Sequence, residues 1–142
     1  MTINYENLNN CKLNISKFDK SRLLIVTKNQ SLDDIQELFN SGYRMFGENR
    51  VQEAKLKYSS LNNFEDINLH LIGPLQTNKV KEALMLFDTI ESIDRKKLVD
   101  EIFKVTNKAP KIKTNSYYIQ INIGSEDQKF GVEKSEVFGL YA

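Results

Sequence analysis

Apolar and polar residues follow one another in blocks that predict strands alternating with helices. Residues 23–27 are four apolar residues and a threonine, a run typical of a buried strand, and this strand ends on Lys28. Residues 32–40 repeat apolar positions at helical spacing, and Ser31 with Asp34 has the spacing of a capping box. A strand that runs directly into a helix is the first half of a βαβ unit.

The same order recurs along the chain and predicts parallel strands joined by crossover helices. Residues 1–20 are polar and form either a short outer helix or an irregular extension. No linker rich in Pro, Gly or Ser interrupts the pattern, so residues 1–142 are predicted to be one domain. Further strands are predicted at residues 43–46, 69–72, 87–93 and 117–123, with helices at residues 50–58 and 78–86 and a helix capped by Asp94 that continues to Val105.

Polar residues on one face of the predicted sheet favour a barrel over an open sheet. Gln120 and Asn122 share one face of the fifth strand, and Lys28 shares a face with Leu24 and Val26 in the first. Polar side chains on an inward face suit a barrel whose interior leads to a site at one end. The predicted fold class is therefore α/β, a partial TIM-type barrel with about five of the usual eight strands.

Composition narrows the function classes. The 20 Lys and Arg residues nearly balance the 19 Asp and Glu residues, and a net charge of +1 gives no electrostatic case for nucleic acid or an anionic membrane. The single cysteine, Cys11, excludes an internal disulfide and a thiolate metal cluster. No apolar run is long enough to cross a bilayer and the N-terminus does not resemble a secretory signal, so a cytoplasmic protein is expected.

Residues at the predicted strand ends are the candidates for chemistry, because such ends lie on one face of a parallel α/β fold. Lys28 is either a partly desolvated amine able to form a Schiff base or an ordinary lysine reaching into water. Asn49 follows Gly47 and either binds a ligand or caps its own turn. A lone histidine such as His70 is more often a hydrogen-bonded interior residue than a base, and Lys129 by itself is an ordinary surface lysine.

Six segments together resemble the motifs of one family, the pyridoxal phosphate homeostasis proteins, which are related to the N-terminal barrel domain of alanine racemase. The resemblance extends from about Leu23 to Val132. The segments are Val26-Thr27-Lys28, Phe46-Gly47-Glu48-Asn49-Arg50-Val51-Gln52-Glu53, His70-Leu71-Ile72-Gly73-Pro74-Leu75-Gln76-Thr77-Asn78-Lys79, Ile93-Asp94-Arg95, Gln120-Ile121-Asn122-Ile123 and Lys129-Phe130-Gly131.

The resemblance implies a carrier of pyridoxal 5′-phosphate (PLP) on the barrel of PLP fold type III. It implies that Lys28 holds the cofactor as a Schiff base, that Asn49 lies near it, and that His70 and Lys129 match family positions linked to it. Such proteins are thought to buffer PLP and deliver it to apo-enzymes, without metal and without catalysis.

The resemblance also leaves alternatives. Family members are longer, and the strands that hold the cofactor phosphate would follow the fifth strand, so the chain looks cut off there. A PLP-dependent racemase would need a second base from residues that are not present. An inert fragment is the third possibility. The first and fifth strands would be open sheet edges, which predicts self-association.

Overall fold

The computed structural model describes residues 3–61, 64–109, 111–124 and 130–141. Five parallel strands form one sheet in the order in which they occur in the chain. The strands are β1 Ile25–Val26, β2 Met45–Glu48, β3 Asn68–Leu71, β4 Thr89–Ile93 and β5 Ser116–Ile119. The α-helices are α1 Tyr5–Ile15, α2 Leu32–Asn40, α3 Val51–Tyr58, α4 Val80–Leu86, α5 Lys96–Thr106 and α6 Val137–Tyr141, and 3-10 turns lie at Phe64–Asp66, Thr77–Lys79 and Lys134–Glu136.

This topology confirms the predicted α/β fold and the partial barrel, because parallel strands in sequential order separated by helices are the arrangement of a (β/α) barrel. The bounds predicted for α2 are confirmed, and the Ser31 side chain caps it by accepting the Asp34 N–H at 3.1 Å. Residues 5–15 form the outer helix, in which no residue is buried. The organisation as one domain stays a prediction.

None of the five strands has the predicted bounds, and one predicted cap was wrong; β3 begins one residue earlier than predicted and β4 begins two residues later. β1 covers only residues 25–26 of the predicted 23–27 and pairs with β2 alone. β2 lies two residues later than predicted and includes Glu48, whose carbonyl accepts the Ile72 N–H at 2.9 Å. Asp94 does not cap α5: the residue before that helix is Arg95, and no side chain caps it.

The predicted fifth strand, residues 117–123, ends at Ile119 in the structure. Beyond it Ile121 forms an isolated parallel bridge with Val132, and the Asn122 N–H donates to the Val132 carbonyl at 2.9 Å. Gly131 permits this return because its φ is +126°, in the region that favours glycine. A chain segment after β5 therefore takes the hydrogen bonds that would have extended the strand.

The hydrophobic core lies between the sheet and its helices. Alternate strand residues such as Phe46, Leu69 and Ile90 are completely buried and share one cluster with α2–α5. The opposite face is open, with Val26 and Tyr118 exposed at 45% and 58%. Among the described residues, no helix combines the length and apolar composition that a bilayer crossing requires.

A close backbone approach joins the ends of β2 and β3. A Cβ atom on Gly73 would lie 2.2 Å from the Asn49 carbonyl oxygen and 2.7 Å from the Asn49 Cα. Only glycine leaves room for this contact, and the contact fixes the two strand ends beside each other.

A buried carboxylate joins β1, β2 and α3 on the helix side of the sheet. Glu48 is completely buried, and its Oε1 accepts the Thr27 hydroxyl at 2.8 Å and the Lys57 ammonium at 3.1 Å. Because Thr27 donates its hydroxyl proton to Glu48, the Tyr58 hydroxyl is the donor in its contact with Thr27 Oγ1 at 2.8 Å. Burial raises the pKa of Glu48, and the hydrogen bonds from Thr27 and Lys57 only partly offset it.

Glu53 shares the same ammonium but differs in environment. Its Oε1 accepts from Lys57 at 2.6 Å and from the Asn29 N–H at 2.7 Å, and its side chain is 24% exposed. The hydrogen bond from Lys57 is the main reason that the pKa of Glu53 is lowered. The two carboxylates therefore depend on pH in opposite directions.

We expect Gly73→Ala to destabilise the fold by about 2–3 kcal/mol, because the new methyl group overlaps the Asn49 backbone. The free energy of unfolding from urea titration measures this. Gly139→Ala in α6 is the matched control, since nothing lies within 4 Å of the added carbon. Equal stability of the two variants would contradict the close approach.

We expect Glu48→Gln and Glu53→Gln to change the pH dependence of stability with opposite signs. The contribution of Glu48 is complete below its ordinary pKa of 4.5 and is lost as the pH rises through its raised folded pKa. The contribution of Glu53 is present above 4.5 and is lost as the pH falls through its lowered folded pKa.

Urea titrations between pH 3 and pH 8 measure both effects. The stability of the wild type relative to Glu48→Gln should fall as the pH rises, and its stability relative to Glu53→Gln should increase. The same trend in both variants would show that the two carboxylates are not distinguished in this way.

Candidate functional site

A cavity of about 760 Å³ lies at the carboxyl ends of β2, β3 and β4, and we call it the strand-tip cavity. Its lining combines amide, cationic and apolar groups, with one carboxylate. The residues are Asn49, Arg50, Val51 and Gln52 after β2, Pro74, Leu75, Gln76 and Lys79 after β3, Asp94 and Arg95 after β4, and Phe130.

Two of the three cationic groups in this cavity are already engaged. Arg95 donates to the Leu75 carbonyl oxygen at 2.8 Å and also pairs with Asp94, so it links the ends of β3 and β4. The Lys79 ammonium pairs with Glu82 at 3.1 Å. The cavity can therefore accept an anion, but part of its positive charge is already compensated.

Lys28 and Asn49 occupy equivalent positions at the ends of neighbouring strands. Val26 pairs in register with Gly47, so each candidate lies two residues beyond a paired position and on the same face by strand alternation. Lys28 is exposed, and no hydrogen bond or ion pair holds its ammonium in the part of the chain that the structure describes. It does not line the strand-tip cavity, whereas Asn49 does.

Lys28 lies in a tight turn of residues 27–30, which we call the lysine turn. The Gln30 N–H donates to the Thr27 carbonyl at 3.0 Å, and Asn29 has φ of +59°. Thr27 is buried and its N–H donates to the Gly47 carbonyl at 2.9 Å, so the start of the turn is fixed on β2.

His70 is not at a strand end, contrary to the expectation that it would join the other candidates there. It is the third residue of β3, in register with Gly47 and Thr89. It lines a second cavity of about 690 Å³ on the open face of the sheet, and its Nδ1 lies 2.6 Å from Glu91 Oε1. Its Nε2 is buried without a partner among the described residues.

Lys129 lies outside the described residues, and its role stays a prediction. Its neighbour Phe130 lines the strand-tip cavity. No group of three or more His, Cys, Asp or Glu side chains suited to a metal ion occurs within the described ranges.

Sequence analysis missed the ion pairs of Glu53 and Lys57 beneath the lysine turn. Their spacing of four residues on a predicted helix was a sufficient signal for a mutual contact. That spacing gave no indication of their contacts with the lysine turn. Glu53 contacts Asn29, 24 residues away, and Lys57 contacts Thr27, 30 residues away. Arg95 was recognised only as part of a motif, although it lines the cavity.

Comparison with known proteins finds similar proteins both by sequence and by fold. No family model matches the chain. A pyridoxal phosphate homeostasis protein of Aquifex aeolicus is 40% identical over 121 residues, covering 85% of this chain and 52% of the relative. One of Pasteurella multocida is 38% identical over 122 residues, covering 84% and 51%. The chain thus spans about half the length of the curated relatives it matches.

Solved structures of PipY from Synechococcus elongatus PCC7942 share the fold. The structure without PLP has a TM-score of 0.82 at 29% identity, covering 95% of this chain and 63% of that one. The structure with PLP bound has a TM-score of 0.79, again at 29% identity, covering 95% and 62%. Over most of its length this chain is therefore similar in sequence to pyridoxal phosphate homeostasis proteins and similar in fold to PipY.

Proposed function

We propose that the chain binds PLP at the carboxyl ends of its strands and serves in PLP homeostasis, with Lys28 holding the cofactor aldehyde as a Schiff base. The observation that carries this proposal is the Lys28 amine, which has no partner among the described residues and lies just beyond β1, level with Asn49 just beyond β2. An amine that is not held by other side chains is accessible to an aldehyde and can form an imine with it. The names of the relatives, and the PipY structure with PLP bound, support the cofactor assignment.

The residues of the strand-tip cavity are chemically suited to a phosphorylated pyridine. Arg50, Lys79 and Arg95 supply positive charge for a phosphate, and Asn49 offers a donor and an acceptor to ring substituents. Because Lys79 and Arg95 already have anionic partners, we expect weak binding. His70 and Lys129 remain proposed cofactor residues that the sequence resemblance suggests.

A non-catalytic carrier is favoured over a racemase-like enzyme. Racemisation needs a base on each face of the cofactor. In the described part of the cavity lining, Asp94 is paired with Arg95, and neither tyrosine nor histidine is present. We therefore propose that the protein stores PLP and passes it to apo-enzymes, in the cytoplasm, a location that suits its free, exposed Cys11.

We expect added PLP to give an imine absorption band with the wild-type chain, and Lys28→Ala to remove it, because the condensing amine is then absent. Borohydride reduction followed by peptide mass mapping locates the adduct. Lys96→Ala is the matched control, since Lys96 is an exposed lysine on α5.

Two outcomes would contradict the assignment. An adduct mapped only to other lysines would remove Lys28 from the site. The absence of any band with the wild type would favour the inert alternative. Turnover of an added amino acid would instead favour the racemase-like reading.

We also propose that the chain associates with itself, because its sheet has two open edges within the described residues. β1 pairs only with β2, β5 pairs only with β4, and Tyr118 in β5 is exposed. Unpaired strand edges favour pairing with another chain, and an edge lysine opposes it.

We expect the elution volume of the wild type in size-exclusion chromatography to decrease as its concentration rises, and Tyr118→Lys to weaken this dependence. Phe103→Lys on α5, also at an exposed aromatic position, is the matched control and should associate like the wild type. A folded wild-type monomer at all concentrations would contradict the proposal.

A further inference from the structure

The lysine turn has a conformation that needs support from outside itself. Asn29 has φ of +59°, in the left-handed region. This region costs most L-residues about 1–2 kcal/mol, and asparagine tolerates it better than most. Within the turn, the Gln30 N–H donates to the Thr27 carbonyl at 3.0 Å. This single backbone hydrogen bond on an exposed loop only weakly restrains Lys28, which lies between the two bonded residues.

Two side chains of α3 hold the backbone on both sides of Lys28. The Lys57 ammonium donates to the Thr27 carbonyl at 2.8 Å, immediately before Lys28. The Glu53 carboxylate accepts the Asn29 N–H at 2.7 Å, immediately after it. The two side chains also bind each other at 2.6 Å, so they act as one bracket around the turn.

The bracket is itself anchored in the buried part of the fold. The third proton of the Lys57 ammonium reaches Glu48 Oε1 at 3.1 Å, so all three of its donors have acceptors. Glu48 is completely buried in β2 and also accepts from Thr27. Hydrogen bonds between charged groups, partly removed from water, are stronger than those of an exposed surface pair.

We propose that Glu53 and Lys57 are positioning residues for the Lys28 amine, an inference that rests on the Schiff base of the proposed function. They act through the backbone, since neither lines the strand-tip cavity. α3 begins two residues after Asn49, so one helix fixes both Asn49 and the turn that carries Lys28. These contacts hold the main chain on both sides of Lys28, and they do not involve its ammonium group.

The first test uses the full chain without PLP and measures the turn directly. In Glu53→Ala, exchange of the Asn29 amide should accelerate by about tenfold or more, because a hydrogen bond to a charged acceptor is lost. The backbone order parameter of Lys28 should fall from about 0.85 to below about 0.6. Glu53→Gln, whose amide oxygen still accepts the Asn29 N–H, should lie between the two.

Glu101→Ala is the matched control. Glu101 pairs with Lys104 on α5, far from the lysine turn, so its removal should leave both observables at wild-type values. Exchange of the Ile90 amide in the buried β4 strand reports on global unfolding, and the acceleration at Asn29 in Glu53→Ala should exceed the change at Ile90 if the effect is local.

The second test measures the rate at which PLP with borohydride labels Lys28, with labelling of the exposed Lys96 as the internal reference. Glu53→Ala should slow labelling of Lys28 by about tenfold relative to Lys96, and Glu53→Gln should recover part of the rate. A role in general stability would not slow one exposed lysine relative to another.

Each outcome decides a different point. Unchanged Asn29 exchange and an unchanged Lys28 order parameter in Glu53→Ala would overturn the positioning role, as would a looser turn with an unchanged Lys28 labelling rate. A wild type that gives no adduct on Lys28 would overturn the proposed function, and the measurements without PLP would still decide whether Glu53 holds the turn.

Discussion

The ammonium group of Lys57 is the point on which the site depends. It binds the Thr27 carbonyl and both carboxylates of Glu48 and Glu53, and thereby joins β1, β2 and α3. Removing one partner of such a buried pair typically costs about 3–5 kcal/mol, although the pair is weak evidence of net stability. Its geometric effect is that three acceptors, from the lysine turn, β2 and α3, meet at one ammonium group.

A second constraint sets the ends of β2 and β3 beside each other. Gly73 packs against the backbone of Asn49 with no space for a side chain. Arg95 follows β4 and donates to the Leu75 carbonyl after β3, so it connects the ends of these two strands. Residues from three strand ends are thus brought to one cavity by backbone contacts, and the segment after β5 adds Phe130 to it.

His70 and the residues at the strand ends lie in two different environments, although the sequence analysis had grouped them together. The strand-tip cavity collects Asn49 and cationic side chains, with Lys28 at the neighbouring strand end. His70 and Glu91 pair instead within the sheet, on its open face. In a (β/α) barrel this face is the interior.

The local pattern of the sequence was sufficient for the order of strands and helices and for the bounds and cap of α2. These features depend on residues within a few positions of one another, where hydrophobic period and capping chemistry act. The motifs also predicted the similarity to pyridoxal phosphate homeostasis proteins that the comparisons found. The tertiary structure alone decided the end of β5, the place of His70 and the reach of Glu53 and Lys57 to the lysine turn. Each of those depends on strand register and on contacts between residues far apart in the chain, and one residue of register changes the face on which a side chain lies.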